Sequence, residues 1–175
     1  MKRAFLVLGP MSSGTRLATE ILCRAGCEGD HGHSQRLDQH DPTGTPIVWR
    51  RSFPHGKRGE WPAIHALYRR LSLVHGYQVR GVVTVRDPGP MALSQLQRHP
   101  RHVESRADAQ AQIARAYCEI WMQLDALAIE ATVCVYESLV LNPEHAQRAL
   151  LRRLGLPVPA ALVEIRDGNA PRWAS

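Results

Sequence analysis

The chain has 175 residues, 44% of them hydrophobic, and a formal charge of +6 at pH 7. That length suits one domain with a substantial core, and that composition excludes a disordered or fibrous chain. No apolar stretch is long enough to span a bilayer, and only 6% of the residues are aromatic, which excludes an aromatic-plus-basic platform for single-stranded nucleic acid.

Arginine supplies nearly all of the 22 basic residues. Its planar fork suits bidentate binding of phosphate or sulfate groups. The same surplus suits nucleic acid, so charge alone does not choose between them. Cys23, Cys27, Cys118 and Cys134 have no C-x-x-C spacing and read as plain core residues rather than zinc ligands or disulfides. The first strand begins almost at the first residue, leaving no room for a signal peptide. A reducing cytoplasm is therefore the expected location.

Ala4-Phe5-Leu6-Val7-Leu8 is a short apolar run that reads as a buried strand. Gly9-Pro10-Met11-Ser12-Ser13-Gly14-Thr15-Arg16 follows, and then a helix from about 14 to 25 closed by Gly26. Strand, Gly-containing loop and helix together present backbone N–H groups and a helix N-terminus to an anion. The stretch nearly matches the phosphate-loop pattern G-x-x-x-x-G-K-[ST]. Thr15 stands at the Lys position and Arg16 at the Ser/Thr position that holds magnesium. The cradle is present without the nucleoside triphosphate and magnesium apparatus.

The stretch 29–42 is polar and rich in Gly and His, and reads as a long loop. Ile47-Val48-Trp49 predicts a second strand, with Arg50-Arg51 just after it. Apolar residues from Trp61 to Val74 recur at helical spacing. A third strand covers 79–85 and ends in Arg86-Asp87-Pro88. A short helix follows over 90–98 and a long one from about 103 to 130. A fourth strand covers 132–136, and Asn142-Pro143 opens a last helix that ends near Leu154. Strands alternating with helices predict an α/β fold of three layers, a central mostly parallel sheet flanked by helices, in one domain over 1–175. The ligand site is then expected beyond the C-terminal strand ends. Three arginine- or amide-bearing features converge there: the loop 9–16, Arg50-Arg51 and Arg86. The competing reading of Arg86 is an ion pair with Asp87 or a core carboxylate.

This ordered set resembles the P-loop sulfotransferases, which use 3′-phosphoadenosine 5′-phosphosulfate (PAPS) as sulfuryl donor. Met11-Ser12-Ser13-Gly14-Thr15-Arg16 stands where that family has a P-K-S-G-T-T type loop. Val82-Val83-Thr84-Val85-Arg86-Asp87-Pro88, with Ser94 eight residues beyond Arg86, matches its strand ending in R-[DN]-P. Tyr136-Glu137-Ser138-Leu139, Asn142-Pro143 and Leu154-Gly155-Leu156-Pro157 resemble a third, mainly structural segment. The resemblance implies that Ser12, Ser13, Gly14, Thr15 and Arg16 hold the 5′-phosphosulfate, and that Arg86 and Ser94 hold the 3′-phosphate. It implies no metal and a small-molecule or carbohydrate acceptor.

Two departures stand out. Ser12 replaces a Lys or Arg that stabilises charge on the bridging oxygen, which leaves Arg16, Arg50 and Arg51 as candidates for that role. The family's C-terminal clamp on the 3′-phosphate is missing, with Arg172 as a partial substitute. Ser52 stands where cytosolic members carry the histidine base, so His33 and His55 become the candidate bases, alongside His31, Asp30 and Asp38. His65, His75 and His145 fall on helical stretches and read as surface residues. His31 and His33 without a third ligand are thin support for a metal. Two rival functions remain: a small kinase using ATP and magnesium, and a non-catalytic adenosine bisphosphate-binding module. Nucleic-acid binding comes last, resting on charge alone.

Overall fold

The computed structural model describes residues 2–29, 45–54, 61–98 and 102–166. His33 and His55, with Asp30, His31, Asp38 and Arg172, lie outside the described residues. The elements in chain order are β1 (Arg3–Pro10), α1 (Thr15–Arg24), β2 (Glu28–Gly29), β3 (Ile47–Phe53), α2 (Ile64–Arg69), β4 (Gln78–Val85), α3 (Pro88–Arg98), α4 (Arg106–Ala126), β5 (Ala131–Val135), α5 (Tyr136–Leu141) and α6 (Pro143–Arg153). A π-helical turn, Arg70–Val74, continues α2.

Five strands form one sheet in the order β2-β3-β1-β4-β5, and every neighbouring pair is parallel. The sheet is thus wholly parallel among the described residues. β1 lies in the middle, and its apolar run Ala4, Phe5, Leu6, Val7 and Leu8 is completely buried. Only a strand covered on both faces can be apolar at every position. Each large side chain among them contributes about 1.5–3 kcal/mol of burial.

Alternation along the strands divides the core. Phe5, Val7, Val48, Val82 and Cys134 pack against Ile21 and Leu22 of α1 and Leu150 and Leu151 of α6. Ala4, Leu6, Leu8, Trp49 and Val83 pack on the other face against Ile64 of α2 and Ile120 and Leu124 of α4. The three-layer α/β architecture expected from the sequence is present. The chain leaves β1 toward β2 and β3 on one side, then crosses to β4 and β5 on the other. That places the reversal in strand order at the C-terminal end of β1, where parallel sheets bind ligands.

Several boundaries differ from expectation. β3 runs four residues past Trp49, so Arg50 and Arg51 lie inside the strand rather than after it. Pairing with Leu8, Gly9 and Pro10 of β1 holds Arg51, Ser52 and Phe53 extended. β2 has only two residues, too few for any periodicity to register. The helix expected over Trp61–Val74 begins at Ile64 and loosens at Arg70, where the His75 N–H donates to the Arg70 carbonyl, five residues back. The long helix is shorter than expected and opens on Ser105, whose hydroxyl accepts from the Asp108 N–H. Trp121 stands at helical spacing from Tyr117 and Leu124, yet it is 41% exposed, while the smaller Ala109 and Ala116 fill the interior. Tyr136 begins α5, a helix with no counterpart in the expected elements.

Candidate functional site

The loop after β1 is built by four constraints on its backbone. The Met11 N–H donates to the Phe53 carbonyl and the Ser13 N–H to the Pro10 carbonyl. Ser12 has φ of 68° and Gly14 φ of 96°, both left-handed. Gly14 is the position where glycine is required twice over. Its φ is unfavourable for any side chain, and a Cβ there would stand 2.8 Å from Cδ2 of Tyr136. Gly9 leaves room beneath the loop, since a Cβ there would collide with the hydroxyls of Thr84 and Ser13.

Those two hydroxyls are bonded to each other at 2.6 Å, and Thr84 Oγ1 also donates to the Leu8 carbonyl. Ser13 is fully buried. Its side chain therefore fastens the loop to β4, while its N–H is taken by the Pro10 carbonyl. Gln95 of α3 donates from Nε2 to the Met11 carbonyl at 2.8 Å, holding the loop from the other side. α1 then starts at Thr15. Its N-cap is Gly14, which carries no capping side chain, and its first turn has no acidic residue. The N–H groups of that turn have no acceptor within the helix, so the positive end of α1 opens on the loop. Thr15 is buried and Arg16 is exposed.

Arg86 follows β4 directly and is only 8% exposed. Its Nη1 donates to the Ser12 carbonyl at 2.8 Å, and its guanidinium lies 4.2 Å from the centre of the Tyr136 ring. Tyr136 thus lies against Gly14 on one side and Arg86 on another. Asp87 is used differently: its Oδ1 accepts from the Gly89 N–H at the start of α3, and its own N–H donates to Glu137 Oε1. Tyr117 of α4 supports the strand end from below. Its hydroxyl accepts from the Arg86 N–H and donates to the Thr84 carbonyl, both at 3.3 Å. Burial, foremost, pushes the Tyr117 phenol above its ordinary pKa. The Glu137 charge adds to this, and the bond from the Arg86 amide opposes it. Ser94 lies in the second turn of α3 and is 2% exposed.

The loop residues and Arg86 are therefore brought together, with Ser94 on the adjoining helix. Arg50 and Arg51 do not join them as a pair. Successive residues of a strand point to opposite faces. Arg51 shares the face of Trp49, with its guanidinium 5.1 Å from the Trp49 ring centre and Nη1 donating to the Arg50 carbonyl. Arg50 takes the α1 face with Val48. Beside Arg51, between β3 and α2, lies a cavity of about 430 Å³ lined by Leu8, Trp49, Arg51, Trp61 and Arg70. Sequence reasoning missed Thr84, Gln95, Tyr117 and Tyr136 as site-building residues. A lone threonine in an otherwise apolar strand was the visible sign for the first. Tyr136 stood in a stretch read as structural, and Gln95 is simply next to Ser94.

With the geometry in place, known proteins can be set beside it. A search against models of protein families finds no match, and a search of curated proteins finds none. Among solved structures, a crystal structure of a sulfotransferase from Alicyclobacillus acidocaldarius resembles this chain with a TM-score of 0.52 and 15% sequence identity. The likeness covers 99% of this chain and 90% of that one. The fold is sulfotransferase-like. Nearly the whole length takes part, so the likeness extends beyond the loop and its strand. Among the described residues, no helix is long and apolar enough to cross a membrane, and no three His, Cys, Asp or Glu side chains gather to hold a metal.

Proposed function

We propose that this chain transfers a sulfuryl group from PAPS to a hydroxyl or amine of a small-molecule or carbohydrate acceptor. The observation that carries the reading is the bond from Arg86 to the Ser12 carbonyl. It joins the strand end and the loop into one anion-facing surface, and the two are the motifs whose order resembles the sulfotransferases. The loop fits a phosphate-bearing group: it offers left-handed glycine backbone, an uncapped helix start and no acidic side chain in the first turn.

In this reading the loop Ser12, Ser13, Gly14, Thr15 and Arg16 holds the 5′-phosphosulfate, and Arg86 with Ser94 holds the 3′-phosphate. The S–O bond to the nucleotide phosphate breaks as a bond from sulfur to the acceptor oxygen or nitrogen forms. The acceptor's proton passes to a base, for which His33 and His55 are the candidates. Amides and arginines stabilise charge on the equatorial oxygens and the leaving phosphate. Placing both substrates in line supplies much of the remaining rate. Arg16, Arg50 and Arg51 are the candidates for the cation missing at position 12: Arg51 turns toward Trp49, Arg50 takes the opposite face of β3, and Arg16 is exposed. The place of action is the cytoplasm.

One titration tests the donor. Adenosine 3′,5′-bisphosphate at 100 times its dissociation constant is expected to stabilise the fold by about 2.7 kcal/mol. Stabilisation by ATP with magnesium and none by the bisphosphate would favour a kinase and end this reading. Ser12 in place of a cation keeps one other reading open, a module that binds the bisphosphate without turnover. Transfer of labelled sulfate from PAPS to a panel of acceptors separates the two.

A further inference from the structure

The sheet order ends on β5, so β5 is an edge strand. Exposed edges usually carry a charge, a proline or a bulge that prevents further pairing. β5 reads Ala131-Thr132-Val133-Cys134-Val135, with no charged residue and no proline. The Gly81 N–H of β4 donates to the Glu130 carbonyl. Alternate residues of a parallel strand bond to one neighbour, so Thr132 and Cys134 serve β4. Ala131, Val133 and Val135 turn their N–H and C=O groups outward, and among the described residues no backbone partner meets them. Val133 and Val135 are also 42% and 39% exposed. They pair with Val83 and Val85 of β4, which face α4. α4 covers this part of the sheet, since a Cβ on Gly81 would meet both Leu124 of α4 and Ala131. One flank of α4 is taken by α2, where Gln123 bonds to Pro62 and Ile64. Trp121, two residues earlier and so about 200° around the helix, is exposed on the opposite flank, toward β5. On its α6 side, β5 borders a groove of about 460 Å³ whose lining includes Ser138, Asn142, His145 and Arg153 and no acidic residue.

We propose that β5 pairs with the β5 of a second copy of this chain, antiparallel across a two-fold axis at Val133, so that two sheets become one. The strand is complementary to itself. Its outward groups lie at Ala131, Val133 and Val135, symmetric about Val133. Val133 therefore exchanges both bonds with its counterpart, and Ala131 does the same with Val135 of the other copy. Opposed residues share a face, so the exposed valines and Trp121 of both copies gather on the α4 side. The charges match as well. Glu130 lies on the α6 side, because it bonds Arg80 at 2.9 Å and Arg80 pairs with Phe5 of that layer. Its side chain is 74% exposed. Antiparallel pairing sets Glu130 opposite Tyr136 of the other copy, at the end of β5 where Ser138, Asn142 and His145 line the groove. Each copy thus brings an acid to the basic groove of the other. The pairing is independent of the sulfuryl-transfer reading.

Sedimentation equilibrium of the full chain, from about 1 to about 100 µM, reads the pairing. A species of twice the 19.6 kDa chain mass is expected to fill as concentration rises. V133K sets two like charges directly opposite each other and is expected to weaken the dimer about tenfold or more. E130K changes an exposed side chain, so it gives a folded protein to read even where V133K does not, and it is expected to weaken the dimer about threefold or more. L73K makes the first change at another exposed residue, on the turn after α2, and is expected to leave the dimer as it was. Hydrogen exchange locates the interface: the amides of Ala131, Val133 and Val135 are expected to slow as concentration rises. A monomer at every concentration overturns the proposal, as does an assembly larger than a dimer. So does a dimer that V133K, or E130K should V133K not fold, leaves at wild-type strength, or one that L73K weakens equally. Exchange at the three amides that ignores concentration overturns it too.

Discussion

Arg86 donates from Nη1 to the carbonyl of Ser12 across 2.8 Å. The two residues are 74 positions apart and follow neighbouring strands, β4 and β1. The bond makes the cation at the end of one strand part of the loop that follows the other. Because Arg86 is also nearly buried and stacked on Tyr136, its guanidinium has little freedom left to lose when an anion arrives.

Arg86→Ala is expected to abolish the thermal shift caused by adenosine 3′,5′-bisphosphate. It also removes the Ser12 bond and the Tyr136 stack, at a cost to stability of about 1–3 kcal/mol. Arg86→Lys keeps the charge and loses the planar fork, so part of the shift returns. An unchanged shift in the alanine variant would remove Arg86 from the donor site.

Gly14→Ala strains the loop twice, through a φ of 96° and through the Tyr136 ring at 2.8 Å. Chemical denaturation should show a loss of about 1–3 kcal/mol. Bisphosphate binding should weaken with it, because relief of the contact requires the loop to shift. Wild-type stability and binding in this variant would mean that the loop adopts another conformation.

Ser13 and Thr84 satisfy each other in the interior. Thr84→Val removes one partner and leaves the Ser13 hydroxyl buried without it, at about 1–3 kcal/mol. Adding Ser13→Ala removes the stranded hydroxyl. The double variant is therefore expected to be more stable than Thr84→Val alone, and a double-mutant cycle that sums additively would deny the coupling.

The thiols divide by burial. Burial, foremost, pushes Cys27 and Cys134 up to about 12 from 9.0, whereas Cys118 is exposed. A thiol reagent at neutral pH is expected to label Cys118 quickly, and Cys27 and Cys134 only on unfolding. The two raised values also set a pH dependence. Above about pH 9 the unfolded chain loses these protons while the native state keeps them. Stability is thus fully present below pH 9 and falls as pH rises through about 12. Denaturation midpoints that stay level across that window, against a Cys27→Ala, Cys134→Ala control, would contradict this.

The sequence by itself determined the layering and the loop. An unbroken apolar run within a strand must be covered on both faces, and Ala4–Leu8 of β1 is. A glycine-bearing turn between such a strand and a helix must leave amides open, and the turn before α1 does. Both properties are local, set by periodicity and by what Gly permits. Tertiary structure alone decided what surrounds the loop. Arg50 and Arg51 read in the sequence as a pair just after a strand. Pairing with β1 extended that strand through them and sent them to opposite faces. Tyr136 looked like the end of a strand, yet it begins α5 and fills the space that Gly14 leaves. The Ser13–Thr84 bond and the Tyr117 bonds to the Arg86 amide and the Thr84 carbonyl join residues 31 to 71 positions apart. Sequence spacing carries no record of such contacts, because they form only once β1 and β4 lie side by side and α4 packs on the sheet.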